Sequence, residues 1–159
     1  MTTPEPYDLD RFVAAQEAGG SYQRAVAELR AGRKTGHWMW FVFPQVAGLG
    51  LSATSQRFAI GSLAEARAYL GHPILGPRLT QCAAILAESG EHSAERREHS
   101  AEQVFGETDA MKLRSSMTLF SRAKPGEPVF GAVLAQYFGG EPDPLTDRLL
   151  AGAIEGHAS

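Results

Sequence analysis

The sequence has a single cysteine, Cys82, in 159 residues, which excludes an internal disulfide and any paired-cysteine metal or redox motif. No apolar run approaches the ~18 residues that a membrane-spanning helix needs. The opening segment, Met1-Thr2-Thr3-Pro4-Glu5-Pro6, lacks the basic start and the apolar core of a signal peptide. Positive charge is scarce as well. Fifteen Lys and Arg stand against 18 Asp and Glu, and the net charge of −3 gives no electrostatic reason to bind nucleic acid or an anionic membrane. His37 and His72 have no histidine or cysteine four residues on, so no metal site is expected, and no motif calls for a cofactor. The expectation is a soluble, cytoplasmic protein without nucleic-acid or membrane partners. With 43% hydrophobic residues the chain can build one core. One domain is expected over residues 7–150, with flexible tails at 1–6 and 152–159.

What the chain does have is aromatic side chains in one place. His37-Trp38-Met39-Trp40-Phe41-Val42-Phe43, between Gly36 and Pro44, holds both tryptophans and two of the eight phenylalanines. Fully burying one large aromatic removes roughly 150–250 Å² from water, on the order of 4–6 kcal/mol. The segment is therefore expected to be the buried centre of the fold, with Trp40→Ala costing about 3–5 kcal/mol. Trp38 and Trp40 alternate as in a strand, whereas His37, Trp40 and Phe41 share a helical face. No second convincing strand exists to pair with it, so a short buried helix ending before Phe43 is predicted.

Elsewhere the apolar period is helical. Leu9, Phe12, Val13 and Gln16 predict a helix capped by Asp8 and ended by Gly19 or Gly20. Tyr22, Ala25, Val26 and Leu29 predict a second, capped by Ser21 and stopped at Gly32. Ser62-Leu63-Ala64-Glu65 reads as a capping box opening a helix to about Leu70. Pro77 suits a first turn ahead of Leu79, Cys82, Ala83 and Leu86. Ser100-Ala101-Glu102-Gln103 is a second capping-box pattern, and Thr108 or Asp109 would start the helix carrying Met111, Leu113, Met117 and Phe120. Phe130, Val133, Leu134 and Tyr137 stripe another, stopped by Gly139-Gly140. Asp143-Pro144 opens a short terminal helix ending in Leu149-Leu150. The fold class is all-α: a compact single domain of several short helices around the aromatic segment.

Glu-His-Ser-Ala-Glu occurs at 91–95 and again at 98–102. His92 and His99 have no partners arranged for coordination there, and a solvated stretch from a short duplication is the reading. Gly48-Leu49-Gly50, followed by Ser52, Thr54 and Ser55, matches no dinucleotide fingerprint and reads as a turn before a helix cap. Lys34, His37 and Gln45 bracket the aromatic segment, where a histidine could serve as base or donor. On a helix, Lys112, Ser115 and Ser116 converge with Leu119, and Thr118 lies beside them. The order is lysine before serine, so the Ser-x-x-Lys nucleophile signature is absent.

Three blocks together resemble the domain-of-unknown-function 1810 (DUF1810) family. They are Gly36 to Gln45 followed by Gly48-Leu49-Gly50-Leu51-Ser52; Tyr69-Leu70-Gly71-His72-Pro73 with Leu75-Gly76-Pro77-Arg78-Leu79; and Phe105-Gly106, Asp109 and Lys112 to Phe120. The resemblance spans roughly residues 7–150 and implies a small all-helical fold without an established activity. The repeated Glu-His-Ser-Ala-Glu stretch departs from the family pattern as an insertion between helices would. Some members carry the label calpastatin, an inhibitor type that is a long disordered chain. Two tryptophans and regular helical stripes are the opposite of that composition.

Two functions compete at this level. The first is a pocket protein or enzyme for a small polar or phosphorylated, nucleotide-like ligand near the aromatic segment. Lys34, His37, Trp38, Gln45, Lys112, Ser115, Ser116 and Thr118 are its candidate ligand-binding residues. A catalytic form, cleavage of an N-glycosidic bond in an ADP-ribose-like ligand, would need a carboxylate, and Asp109 and Glu107 are the acids in the matched blocks. The second is a non-catalytic interaction module in which the same polar residues are structural. The two differ in whether the polar set lines one concave surface or scatters with its hydrogen bonds satisfied.

Overall fold

The computed structural model describes residues 7–50, 52–91 and 101–158. The first two helices, α1 (Asp10–Glu17) and α2 (Ser21–Ala31), are joined by a single 3₁₀ turn, Ala18–Gly20. Gly19 and Gly20 turn the chain there with φ of 59° and 71°, a left-handed conformation that a Cβ disfavours. The sequence places caps at Asp8 and Ser21, and both are corrected. Asp8 itself takes φ 51°, the first helix has no side-chain cap, and Ser21 Oγ donates back to Ala18 O at 2.7 Å. Arg11, in the first turn of that helix, instead ties it to later parts of the chain: it donates to the carbonyls of Asp8 (2.8 Å), Arg57 (2.7 Å) and Ala59 (2.9 Å), and pairs with Glu65 at 2.9 Å.

After the Gly32 stop (φ 76°) comes one turn of helix, α3 (Met39–Val42), within the aromatic segment. One turn can bury only one face. Trp38, Met39, Val42 and Phe43 take it, while Trp40 and Phe41 are half-buried and His37 is exposed. The expectation of a uniformly buried segment is thereby corrected. The buried Gln16 side chain fixes this turn, donating to Phe41 O at 2.7 Å and lying 3.3 Å from Tyr69 Oη.

A loop leads to α4 (Ala53–Arg57), capped by Ser52 Oγ accepting from Ser55 N at 3.1 Å. An isolated parallel bridge, Val46 to Ile60, ties that loop to the chain beyond α4, and no strand occurs among the described residues. Next come α5 (Leu63–Gly71), α6 (Leu75–Glu91), α7 (Ala101–Ala123), α8 (Pro128–Phe138) and α9 (Pro144–Ala158). Only half of the predicted capping box forms at α5. Ser62 Oγ accepts from Glu65 N at 3.1 Å, but the Glu65 carboxylate turns to Gly61 N and Arg11. His72 Nδ1 accepts from the Ile74 and Leu75 N–H groups (3.1 and 3.3 Å) and so opens α6, a role the sequence does not announce. At Gly106 (φ 80°, ψ 163°) α7 breaks and restarts, close to the predicted start at Thr108 or Asp109. Asp143 caps α9 as predicted, but that helix continues to Ala158 rather than ending at Leu150. The cap at Ser100 and the histidines His92 and His99 lie outside the described residues.

Helices α5, α6, α8 and α7 pack in a closed ring, each against the next. The α1–α2 pair lies against this ring through α2 on α6, and α9 lies on α7. An aromatic chain runs through the centre: Phe12 to Tyr69 (5.1 Å, edge-on), Tyr69 to Phe120 (5.4 Å) and Phe120 to Phe130 (5.9 Å). This is a single all-α domain. Its core extends well beyond the tryptophan segment, which forms one wall.

Candidate functional site

The loop between α2 and α3 is built around a carboxylate. Glu28 Oε1 accepts three hydrogen bonds, from Thr35 N (2.6 Å), Gly36 N (2.8 Å) and Trp38 Nε1 (3.0 Å). Burial alone would raise the Glu28 carboxyl. The donors from Gly36, Thr35 and Trp38 outweigh it and hold the group below its ordinary 4.5. The fit at Gly36 is tight: a Cβ there would lie 3.0 Å from the Trp38 ring and 3.2 Å from Glu28 Oε2.

That loop delivers Lys34 to α7. Lys34 N donates to Val104 O at 2.7 Å, and Nζ reaches Asp109 Oδ2 at 2.7 Å and donates to Gly36 O. Its side chain is 7% exposed and lies 5.1 Å from the Trp38 ring centroid. Asp109 has a second partner one turn on: Lys112 Nζ lies 3.3 Å from Oδ1 and 4.8 Å from the Trp40 centroid, with 20% of its side chain exposed. The two lysines differ in role. Lys34 is enclosed and bonded on several sides, whereas Lys112 takes the longer share of one carboxylate and rests on a half-exposed indole.

Trp40 also forms one wall of a cleft of about 110 Å³, with Gln45, Gly48, Ser55, Gln56 and Phe58. The cleft floor is held by the bridge: Ile60 N donates to Gln45 O (2.9 Å) and Ala47 N to Ile60 O (2.8 Å). A larger groove of about 370 Å³, lined by Ala101, Glu107, Met111, Arg114 and Phe138, lies along α7 and α8.

The eight sequence candidates divide between these places. Lys34, Trp38 and Lys112 meet around Asp109, and Gln45 joins them through Trp40 and the cleft. His37 is exposed beside them. Ser115 and Thr118 serve the α7–α9 junction instead. Ser115 Oγ lies 3.1 Å from both Met111 O and Asp143 Oδ2, and Thr118 Oγ1 donates to Arg114 O (2.8 Å) while accepting from Asp143 N (2.8 Å). Ser116 Oγ is fully buried, with no hydrogen-bond partner among the described residues. Sequence reasoning left Trp40 and Glu28 out of the candidate set. The signal for Trp40 was present in the helical face it shares with His37 and Phe41, the face that α3 leaves uncovered. Nothing local marked Glu28, whose partners all lie in the following loop.

No helix among the described residues is long and apolar enough to cross a membrane, and no group of three or more His, Cys, Asp or Glu is disposed to hold a metal ion. The comparison with curated proteins finds no match. Among solved structures the chain is similar to the conserved hypothetical protein Rv1873 from Mycobacterium tuberculosis. The two are 50% identical, with a TM-score of 0.84 over 92% of this chain and 99% of that one. Residues 6–150 match the DUF1810 family, described as proteins of unknown function. Three motif blocks, a helical fold and nearly full coverage therefore agree that the chain belongs to the DUF1810 family.

Proposed function

We propose that the chain binds a small, flat, phosphorylated ligand of nucleotide-like chemistry at the Trp40 cleft. The observation that carries this reading is the placement of Lys112. Its ammonium lies over the ring that walls the cleft and shares Asp109 with the nearer Lys34. A flat group in the cleft would meet the Trp40 indole, and a phosphate reaching the side of that ring held by Lys112 would meet a positioned cation. The reading is one of binding. Asp109 has both carboxylate oxygens engaged by ammonium groups, Oδ2 by Lys34 at 2.7 Å and Oδ1 by Lys112 at 3.3 Å, so neither is left open to a substrate. Glu107 lines the other groove. Neither acid supports the N-glycosidic cleavage considered from the sequence.

The second reading, an interaction module with structural polar residues, is favoured by Ser115 and Thr118, whose hydroxyls hold the Asp143 turn. A thermal-shift and tryptophan-fluorescence titration of the full chain against nucleoside mono- and diphosphates separates the two. The ligand reading expects a rise in unfolding temperature and a change in indole emission, both abolished in Lys112→Met. No response to any member of the series would leave the interaction module as the better account.

A further inference from the structure

The groove of about 370 Å³ along α7 and α8 shares no lining residue with the Trp40 cleft. We propose that it is a docking surface for an amphipathic helix of a partner protein, one that carries basic residues beside its apolar face. Glu107, Ala110, Met111 and Arg114 follow an i, i+3, i+4, i+7 spacing and so share one side of α7. Leu113, Met117 and Phe120, which the same helix sends into the core, lie on another. Met111 is 68% exposed, against 39% for Ile74 and 46% for Leu145, the other large apolar side chains left exposed among the described residues. A thioether on a flexible stem adapts readily to a partner's surface. Tyr137 and Phe138, half-buried at the end of α8, supply the opposite wall.

The charge around this apolar floor has one unmatched sign. Arg114 is held within the fold: Nε donates to Glu141 O at 3.0 Å, Nη2 donates to Pro142 O at 2.9 Å, and the Glu141 carboxylate lies 3.7 Å away. Glu102 and Glu107 line the groove, are exposed, and have no hydrogen-bond or ion-pair partner among the described residues. Nor does a third His, Cys, Asp or Glu among those residues join them in a metal-binding group. Two unpaired carboxylates on a chain of net charge −3 complement a cationic partner and disfavour an acidic one.

The shape suits a helix. Glu107 to Arg114 spans about 10 Å, which is two turns of a partner helix. A cavity of about 150 Å³ accommodates benzene, so the groove has room for two large apolar side chains one turn apart. Both walls are helices, with no sheet edge for an extended peptide to join. A helix satisfies its own backbone and is recognised through its side chains alone. Its flanking Lys or Arg would lay their stems along the apolar floor and carry their charges to Glu102 and Glu107.

Fluorescence anisotropy of the full chain tests the proposal with a labelled synthetic helix that has leucine at i, i+3, i+4 and i+7 and lysine elsewhere. A second helix keeps the leucines and replaces every lysine with glutamate. The lysine helix should bind at least roughly tenfold more tightly than the glutamate one. Met111→Ser and Glu107→Lys should each weaken it severalfold, whereas Leu145→Ser and Asp10→Lys, matched changes at exposed positions elsewhere, should not. No binding of the lysine helix, equal binding of the glutamate helix, or the same loss in the matched variants would overturn the proposal. Sedimentation of the chain alone provides a further check. Self-association lost in Met111→Ser would place a second copy in the groove and overturn the basic partner.

Discussion

Lys34 and Lys112 share a carboxylate but face different energetics, because one is enclosed and the other retains access to solvent. Removing one partner of a buried pair leaves an uncompensated charge, at a cost of about 3–5 kcal/mol. Lys34→Met should approach that loss, since Asp109 would keep only its 3.3 Å contact with Lys112 and Gly36 O would lose its donor. Lys112→Met should cost about 1 kcal/mol or less, the worth of a partly exposed pair and a cation–ring contact. Urea unfolding of the two variants measures the difference, and equal losses would mean that both lysines are structural. Ser116 offers the reverse case. Its buried hydroxyl lacks a partner among the described residues, so Ser116→Ala removes a desolvated polar group and should raise stability by about 1 kcal/mol. A loss of that size in the same experiment would show that the hydroxyl is bonded. The Trp40→Ala expectation also changes. With its ring half-exposed, the cost should fall below the range for a fully buried aromatic, to about 1–2 kcal/mol.

At the level of elements, the tightest fit is the corner between α5 and α6. A Cβ on Gly76 would lie 2.0 Å from Leu70 O, a backbone atom that cannot move without shifting α5. Gly76→Ala should therefore destabilise by about 3 kcal/mol, the upper end for overpacking. Gly71→Ala, where a Cβ meets nothing within 4 Å, is the control and should be near neutral or slightly stabilising. Comparable midpoints for the two variants in thermal unfolding would show that the corner can open. The helix boundaries explain which elements were legible. Gly32 and Gly139 stop helices through their own left-handed backbones, and Ser62 and Asp143 bond N–H groups three residues on. Such signals are local, so reading along the chain finds them. Asp8 failed because its own backbone is left-handed and no side chain caps α1, and Ser21 because it lies within α2 after the Gly19-Gly20 turn and donates back to Ala18 O.

For the whole molecule, the buried ionisable groups predict where stability is lost with pH. Burial pushes the Cys82 thiol from its ordinary 9.0 up to about 12 and, reinforced by Cys82, the Tyr22 phenol from 10.0 up to about 12; burial raises Tyr69 as well. For each, the folded value lies above the unfolded one, so its contribution is fully present below pH 9 and is lost as pH rises toward 12. Denaturation midpoints should accordingly fall across that window, and Cys82→Ala should shallow the fall. A flat alkaline limb would contradict the burial of these groups. At neutral pH the same thiol is both enclosed and protonated. Its modification by an aromatic disulfide should proceed only through unfolding, slowing as stability rises and becoming immediate in denaturant.

The sequence by itself determined the helical class, most helix stops and the aromatic segment as part of the core, because apolar period, left-handed glycines and N-terminal caps act over a few residues. It also carried the family blocks, whose residues are contiguous. It could not decide which polar residues cluster. Lys112, Ser115, Ser116 and Thr118 sit within two turns of one helix, yet the fold sends Lys112 to Trp40, Ser115 and Thr118 to the Asp143 turn, and Ser116 into the interior. A helix distributes neighbouring side chains around its axis, and which of its faces meets which partner is set by packing among α3, α7 and α9. The Lys34–Asp109–Lys112 cluster and the Trp40 cleft exist only because that packing brings the α2–α3 loop against the restart of α7 at Gly106.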